Sequence, residues 1–208
     1  MQKKKILICG ASGFIGRNFF EYFSKRNDME VFGTYNTREF SDDEHLFQAD
    51  FLSPRGPTNA FTLARDIFGE WDVVVYAASV SAGVKIFTTS PESLFSDSNV
   101  MNMRVLDAAF RNNAKHFIFL SCSVMYPQYW PFPVRESDVY LERMDPRYCL
   151  GALVKLLAED FCRTYSQKGG TKFTIIRHSN CYGPYDKFDL ERGHFRQHTI
   201  AQSQRRVA

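Results

Sequence analysis

The stretch "KILICGASGFIGRNFFEYF", Lys5 to Phe23, decides how the rest of the chain is read. After Lys5 its first half is an uninterrupted apolar run, the pattern of a strand buried on both faces. Its second half brings Phe19, Phe20 and Phe23 onto one face of a helix. Between the two halves stand Gly10, Gly13 and Gly16. A turn that lets backbone approach a diphosphate needs glycine for the tight bend, for the close approach and for helix–strand packing. The helix N-terminus then offers free N–H groups and the positive end of its dipole to the phosphates. A bare glycine triplet is weak evidence and can be a merely structural turn. The strand before it and the helix after it give it weight.

Working outward, the same alternation repeats. "MEVFGTY", the short "HLFQAD", "DVVVYAA", "HFIFLSCS" and "KFTIIRHS" read as strands. "PTNAFTLARDIF", "PESLFSDSNVMNMRVLDAAFRNN" and the segment from Pro146 to Lys168 read as helices. Apolar strands alternating with helices predict a doubly wound α/β fold, a parallel sheet covered on both faces. Pro127 to Met144 contains three prolines and reads as a long connecting loop, which in a compact domain is more often functional than idle. Beyond Pro184 the periodicity degrades. Residues 1–184 are therefore expected to form the main domain and 185–208 the start of a truncated substrate-binding region.

At 208 residues the chain can bury a real core, and 44% hydrophobic with 24% charged residues is ordinary for a soluble globular protein. A net charge of +3 is too small to argue for nucleic acid, and no apolar run approaches a membrane span. The start "MQKKKILICGASG" has no signal-peptide pattern. Five cysteines without paired metal spacing favour a reducing cytoplasm, free thiols and no metal site.

The G-x-x-G-x-x-G spacing resembles that of the extended short-chain dehydrogenase/reductase family, the Rossmann-fold branch acting on nucleotide sugars. Asp50 in "ADFL" stands where that family contacts adenine, and "YAAS", Tyr76 to Ser79, resembles the loop passing under the cofactor. Asn99 matches the family's buried helix asparagine, and "RHSNCYGPYDKF" resembles its R-x-x-N-x-Y-G-P segment. Within the family the chain is most similar to GDP-fucose synthases, sharing the "AA-x-x-x-A-G-V" and "YP" details. The resemblance implies a cofactor held by Gly10, Ser12, Gly13, Phe14, Ile15, Gly16, Tyr35, Arg38, Asp50, Phe51, Ala77, Ala78, Ser79, Asn99, Ser121, Lys155 and Ser179. An acid ending the second strand would accept the ribose hydroxyls of NAD. Its place falls near Thr34, and "GTYNTR" holds no acid but does hold Arg38. An arginine suits a 2′-phosphate and inclines the reading from NAD to NADP. Arg38 as a plain surface residue is an equal alternative.

In this family a tyrosine hydroxyl handles the proton of the reacting sugar, and a lysine one helical turn later lowers its pKa and holds the nicotinamide ribose. A Ser or Thr on the fifth strand completes the set. Lys155 in "RYCLGALVKLLAED" matches the lysine, with Glu159 four residues on. The tyrosine's place is taken by Gly151, and Tyr148 lies seven residues before Lys155. Seven residues return to nearly the same face but about 10 Å along the axis. Either Tyr148 folds back from a loop over Gly151, or another group moves the proton. Cys122 falls on the family's serine position, flanked by Ser121 and Ser123. Ser123 is the better substrate contact, since a cysteine bonds poorly unless ionised, and Cys122 as ordinary strand packing has equal weight. His194 matches the histidine that acts as an acid in fucose-synthase-like epimerisation, and as a lone histidine it is more often surface.

The resemblance implies an NAD(P)-dependent epimerase, dehydratase or reductase with a nucleotide-sugar substrate, GDP-linked by analogy, and a homodimer formed through two helices. The alternative is a catalytically impaired relative that keeps a dinucleotide as a structural or sensing ligand, for which Gly151 and the chain's short end speak.

Overall fold

The computed structural model describes residues 3–80, 90–127 and 133–186. Six parallel strands form one sheet: β1 (Lys4–Cys9), β2 (Met29–Tyr35), β3 (Leu46–Gln48), β4 (Val73–Tyr76), β5 (His116–Cys122) and β6 (Lys172–His178). Their order is β3-β2-β1-β4-β5-β6, every neighbouring pair being parallel. This is the doubly wound Rossmann arrangement, whose strand order reverses between β1 and β4.

Residue alternation along β1 builds a core on each side of the sheet. Leu7 and Cys9 join Phe32, Val74, Tyr76, Phe117 and Phe119 on one face. Ile6 and Ile8 join Val31, Leu46 and Val75 on the other. Helix α1 (Phe14–Ser24) closes the second core with Phe20, backed by Phe19 and Phe23. The first core is closed by three elements: the segment Arg55 to Phe68, helix α4 (Pro91–Arg111) and helix α5 (Cys149–Lys168).

The second predicted helix is interrupted. Arg55–Thr58 (α2) passes into a π-helical turn, Asn59–Leu63, and then into Ala64–Phe68 (α3). The π turn lets Ala60, Phe61 and Ala64 all reach the core, leaving Leu63 and Ile67 on the surface. The last helix begins at Cys149 instead of Pro146, because Pro146 and Arg147 belong to a turn in which Tyr148 N–H bonds Asp145 O at 3.0 Å. Among its described residues, the loop before it carries one 3-10 turn, Leu141–Arg143. Of the expected 185–208 region, residues 187–208 lie outside the described residues.

Candidate active site

The carboxyl ends of the parallel strands place the candidate residues along one rim. Gly10 follows β1, Asp50 lies beyond β3, Ala77–Ser79 follow β4, Cys122 ends β5 with Ser123 just after it, and Ser179 follows β6. Cys122 and His178 are register partners across the last two strands.

The glycine turn is sterically specified. Gly10 sits at φ +85°, and a Cβ there would lie 2.7 Å from the Ala78 backbone. A Cβ on Gly16 would lie 2.1 Å from Gly10 O, so α1 meets the strand end only because that atom is absent. Gly13 differs: its φ is ordinary and an added Cβ would meet only Gly10 O, at 3.3 Å, on an exposed surface. It is the N-cap of α1, with no side-chain cap and no acidic residue in the first turn. The helix thus presents unclaimed N–H groups at the switch point of the sheet, a cradle that fits a diphosphate.

Thr34, where an acid would bind ribose, is instead buried and braces this turn. Gly10 N–H donates to its Oγ1 at 3.0 Å and Ala11 N–H to its carbonyl at 2.7 Å. The side chains free to meet a ribose come later, from half-buried Tyr35 to exposed Arg38. Asp50 accepts Leu52 N–H at 2.9 Å, which shapes the turn after β3.

Three expectations need correction. Phe51 is buried against Tyr76, so its ring is core and only its backbone can face a ligand. Asn99 is half-buried and its amide bonds back to Phe95 O of its own helix. The buried asparagine of α4 is Asn102, whose Oδ1 accepts the Tyr76 hydroxyl at 3.1 Å. Ser121 is fully buried and donates to Glu159 Oε1 at 2.6 Å, so its hydroxyl points into the protein rather than to the rim.

Lys155 rises from α5 toward β5. Its Nζ donates to Leu120 O at 2.8 Å and stands 5.0 Å from the centre of the Phe119 ring. Desolvation lowers its pKa, with Cys122 and Glu159 opposing that effect. Desolvation likewise raises the Cys122 thiol, against the pull of Lys155, so it is a neutral neighbour at neutral pH. Ser123, half-buried, begins the turn in which its carbonyl accepts Tyr126 N–H at 3.2 Å. Tyr148 is the N-cap of α5, and its carbonyl accepts Ala152 N–H at 2.9 Å. The helical ladder therefore starts at the Tyr148 carbonyl, one residue before the helix proper. Its ring lies under the Arg147 guanidinium at 5.6 Å. His194 lies outside the described residues.

One network was not foreseen. Glu159, with no exposed side-chain surface, takes Arg177 in a two-pronged bond: Nε on Oε1 at 2.9 Å and the terminal nitrogen on Oε2 at 2.7 Å. Arg163 adds a bond to Oε2 at 2.8 Å. The remaining Arg177 arm donates to Tyr126 hydroxyl at 3.0 Å and Glu136 O at 2.6 Å, fastening the β5–α5 loop. Burial raises the Glu159 pKa, but the bonds from Arg177 and Ser121 outweigh it and hold the carboxyl below the glutamate value. The available signal was an arginine inside the apolar strand "KFTIIRH", paired with a glutamate one turn after a lysine. Along α1, the Arg17 guanidinium stands 4.2 Å from the Tyr185 ring and 4.6 Å from the Phe40 ring, with Glu21 bonded to Arg17 and to the Tyr185 hydroxyl.

The family model that matches the chain, over residues 6–207, is described as the NAD dependent epimerase/dehydratase family. The chain belongs to that family. It is 24% identical over 194 residues to GDP-L-fucose synthase of Escherichia coli, covering 93% of this chain and 56% of that one. It is 30% identical over 121 residues to GDP-L-fucose synthase of Sinorhizobium fredii, covering 58% of this chain and 38% of that one. Among solved structures it superposes on a GDP-L-fucose synthetase from Naegleria fowleri bound to NADP, with TM-score 0.75 and 20% identity, over 100% of this chain and 60% of that one. A GDP-6-OMe-4-keto-L-xylo-heptose reductase from Campylobacter jejuni gives TM-score 0.79 at 19% identity, over 97% and 53%. The chain spans about half the length of the curated relatives it matches over most of its own length. Membership in the family accounts for the glycine cradle, since an NAD(P) diphosphate is what such a turn accommodates. No helix among the described residues is long and apolar enough to cross a membrane, and no group of three or more His, Cys, Asp or Glu is placed to hold a metal.

Proposed function

We propose that the protein is an NAD(P)-dependent enzyme that oxidises, reduces or epimerises a nucleotide-activated sugar, with NADP preferred and a GDP-linked sugar as substrate. The observation that carries this reading is the uncapped N-terminus of α1, framed by Gly10 and Gly16, and it is supported by Lys155 Nζ on Leu120 O, two residues before the carboxyl end of β5. When bound, the nicotinamide accepts or returns a hydride at a sugar carbon; the chain's own residues bind, orient and move the proton. Residues 1–184 form the dinucleotide-binding domain and 185–208 the first part of the substrate-binding region. Gly10 to Gly16 hold the diphosphate, Asp50 and the Phe51 backbone face adenine, and Tyr35 and Arg38 face its ribose. Ala77, Ala78, Ser79 and Ser179 bind the cofactor, His194 acts as an acid toward the sugar, and Lys155 holds the nicotinamide ribose. Ser123, Cys122 and Tyr148 surround the reacting carbon.

The absence of an acid at the end of β2 and the presence of Arg38 there support NADP. The GDP-sugar names of several relatives support the substrate class. Exposed Val100 and Met103 on α4 and Leu150 and Leu157 on α5 support pairing of two copies through these helices. The free cysteines fit a reducing cytoplasm.

The test is a fluorescence titration with NADPH and NADH, followed by a panel of GDP-, UDP- and dTDP-sugars monitored by nicotinamide absorbance. Tighter binding of NADPH and turnover confined to GDP-sugars are expected. Binding of neither cofactor would refute the reading.

A further inference from the structure

Resting on the proposed reaction, we propose that Lys155 is itself the proton carrier, doing in this chain what the hydroxyl at the Gly151 position would otherwise do. Position 151 offers no side chain beyond hydrogen, and the bond from Ala152 N–H to Tyr148 O sets the Tyr148 backbone at the head of the helix. That places the Tyr148 backbone about 10 Å along the axis from Lys155. The Lys155 ammonium keeps one bond, to Leu120 O, and two N–H groups beyond it.

The groups facing Lys155 leave its charge uncompensated. From β5 it meets a carbonyl, the Phe119 ring and the neutral thiol of Cys122. From its own helix it meets Glu159, whose two oxygens are already taken by Ser121, Arg163 and Arg177. From β6, Arg177 stands behind that carboxylate as a second positive charge. Lys155 forms no ion pair among the described residues. A desolvated ammonium without its own counter-ion gives up its proton readily, the condition for an amine to act as acid and base near neutral pH.

The step balances with the cofactor as oxidant. In the oxidative direction the sugar O–H bond breaks and its proton goes to the neutral Lys155 amine. The C–H bond at the same carbon breaks and its hydride goes to oxidised NAD(P), leaving a ketone. In the reductive direction the hydride returns to carbon, and the Lys155 ammonium gives its proton to the oxygen.

Two measurements test this. Trace acetylation with acetic anhydride across pH, read peptide by peptide by mass spectrometry, titrates Lys155 without requiring turnover. Lys155 is expected to titrate below the surface lysines, and the limb of the kcat/KM profile to coincide with it. Lys155→Arg keeps the charge but not the proton transfer, so kcat at saturating NADPH should fall by about 100-fold or more. Ordinary titration of Lys155, turnover of Lys155→Arg within about 3-fold of wild type, or a limb that moves with Tyr148→Phe instead would overturn the proposal. NADPH binding without turnover of any sugar nucleotide would overturn the proposed function, and this role with it.

Discussion

The network around Glu159 makes the sharpest stability prediction. Replacing Glu159 by glutamine keeps its shape and removes its charge, leaving Arg177, whose side chain is only 13% exposed, without a counter-ion. Breaking a buried pair by neutralising one partner costs about 3–5 kcal/mol. The amide oxygen can still accept one of the former bonds, returning about 1 kcal/mol. The Arg163 contact adds little, since that side chain is 48% exposed. Glu159→Gln should therefore lose about 2–4 kcal/mol at neutral pH, or roughly 4–16 °C in Tm for a chain of this size. Urea unfolding followed by circular dichroism should show a lower midpoint with unchanged slope. The pH dependence has a definite sign. A carboxyl held below its unfolded value stabilises the fold fully above the ordinary glutamate value of 4.5, and the stabilisation is lost as pH falls through the depressed value. The gap between wild type and variant should thus persist from neutral pH down to that region and close only below it. A neutral-pH gap under about 1 kcal/mol, or one already closed near pH 6, would refute the reasoning.

Other consequences are simpler. Gly16→Ala forces a Cβ against Gly10 O and should cost about 1–3 kcal/mol with loss of dinucleotide binding, seen as a lower Tm and no NADPH fluorescence change. Tyr76→Phe leaves the Asn102 Oδ1 buried without its donor and should cost about 1–3 kcal/mol in urea unfolding. Arg163→Ala, removing the exposed arm of the Glu159 network, should stay within about 1 kcal/mol by the same assay.

Much of the fold was legible because it rests on local patterns. The apolar runs of β1, β4 and β5 and the periodicity of α1 and α4 are set by burial on a covered parallel sheet, which sequence displays directly. The glycine turn was legible for the same reason: Gly10 and Gly16 answer to backbone contacts that no other residue permits. What escaped depends on contacts across the sheet. The Arg177 fork on Glu159 joins residues 18 positions apart on different elements, and Ser121 turns inward only because that carboxylate awaits it. Asn102 rather than Asn99 is buried because Tyr76 meets it from β4, a pairing that helical periodicity does not reveal. The π turn at Asn59–Leu63 shifts the buried face of its helix, which a regular period cannot register.

The central claim is that the N-terminus of α1 holds a dinucleotide diphosphate, and Gly13→Asp tests it most directly. An aspartate N-cap satisfies the helix N–H groups and favours the positive dipole end, so the fold should keep or slightly raise its Tm. The same carboxylate occupies the diphosphate's place and repels it. In an NADPH fluorescence titration, wild type should saturate and Gly13→Asp should show no binding at an unchanged circular dichroism spectrum. Equal NADPH affinity in the two proteins, or none in the wild type, would contradict the account.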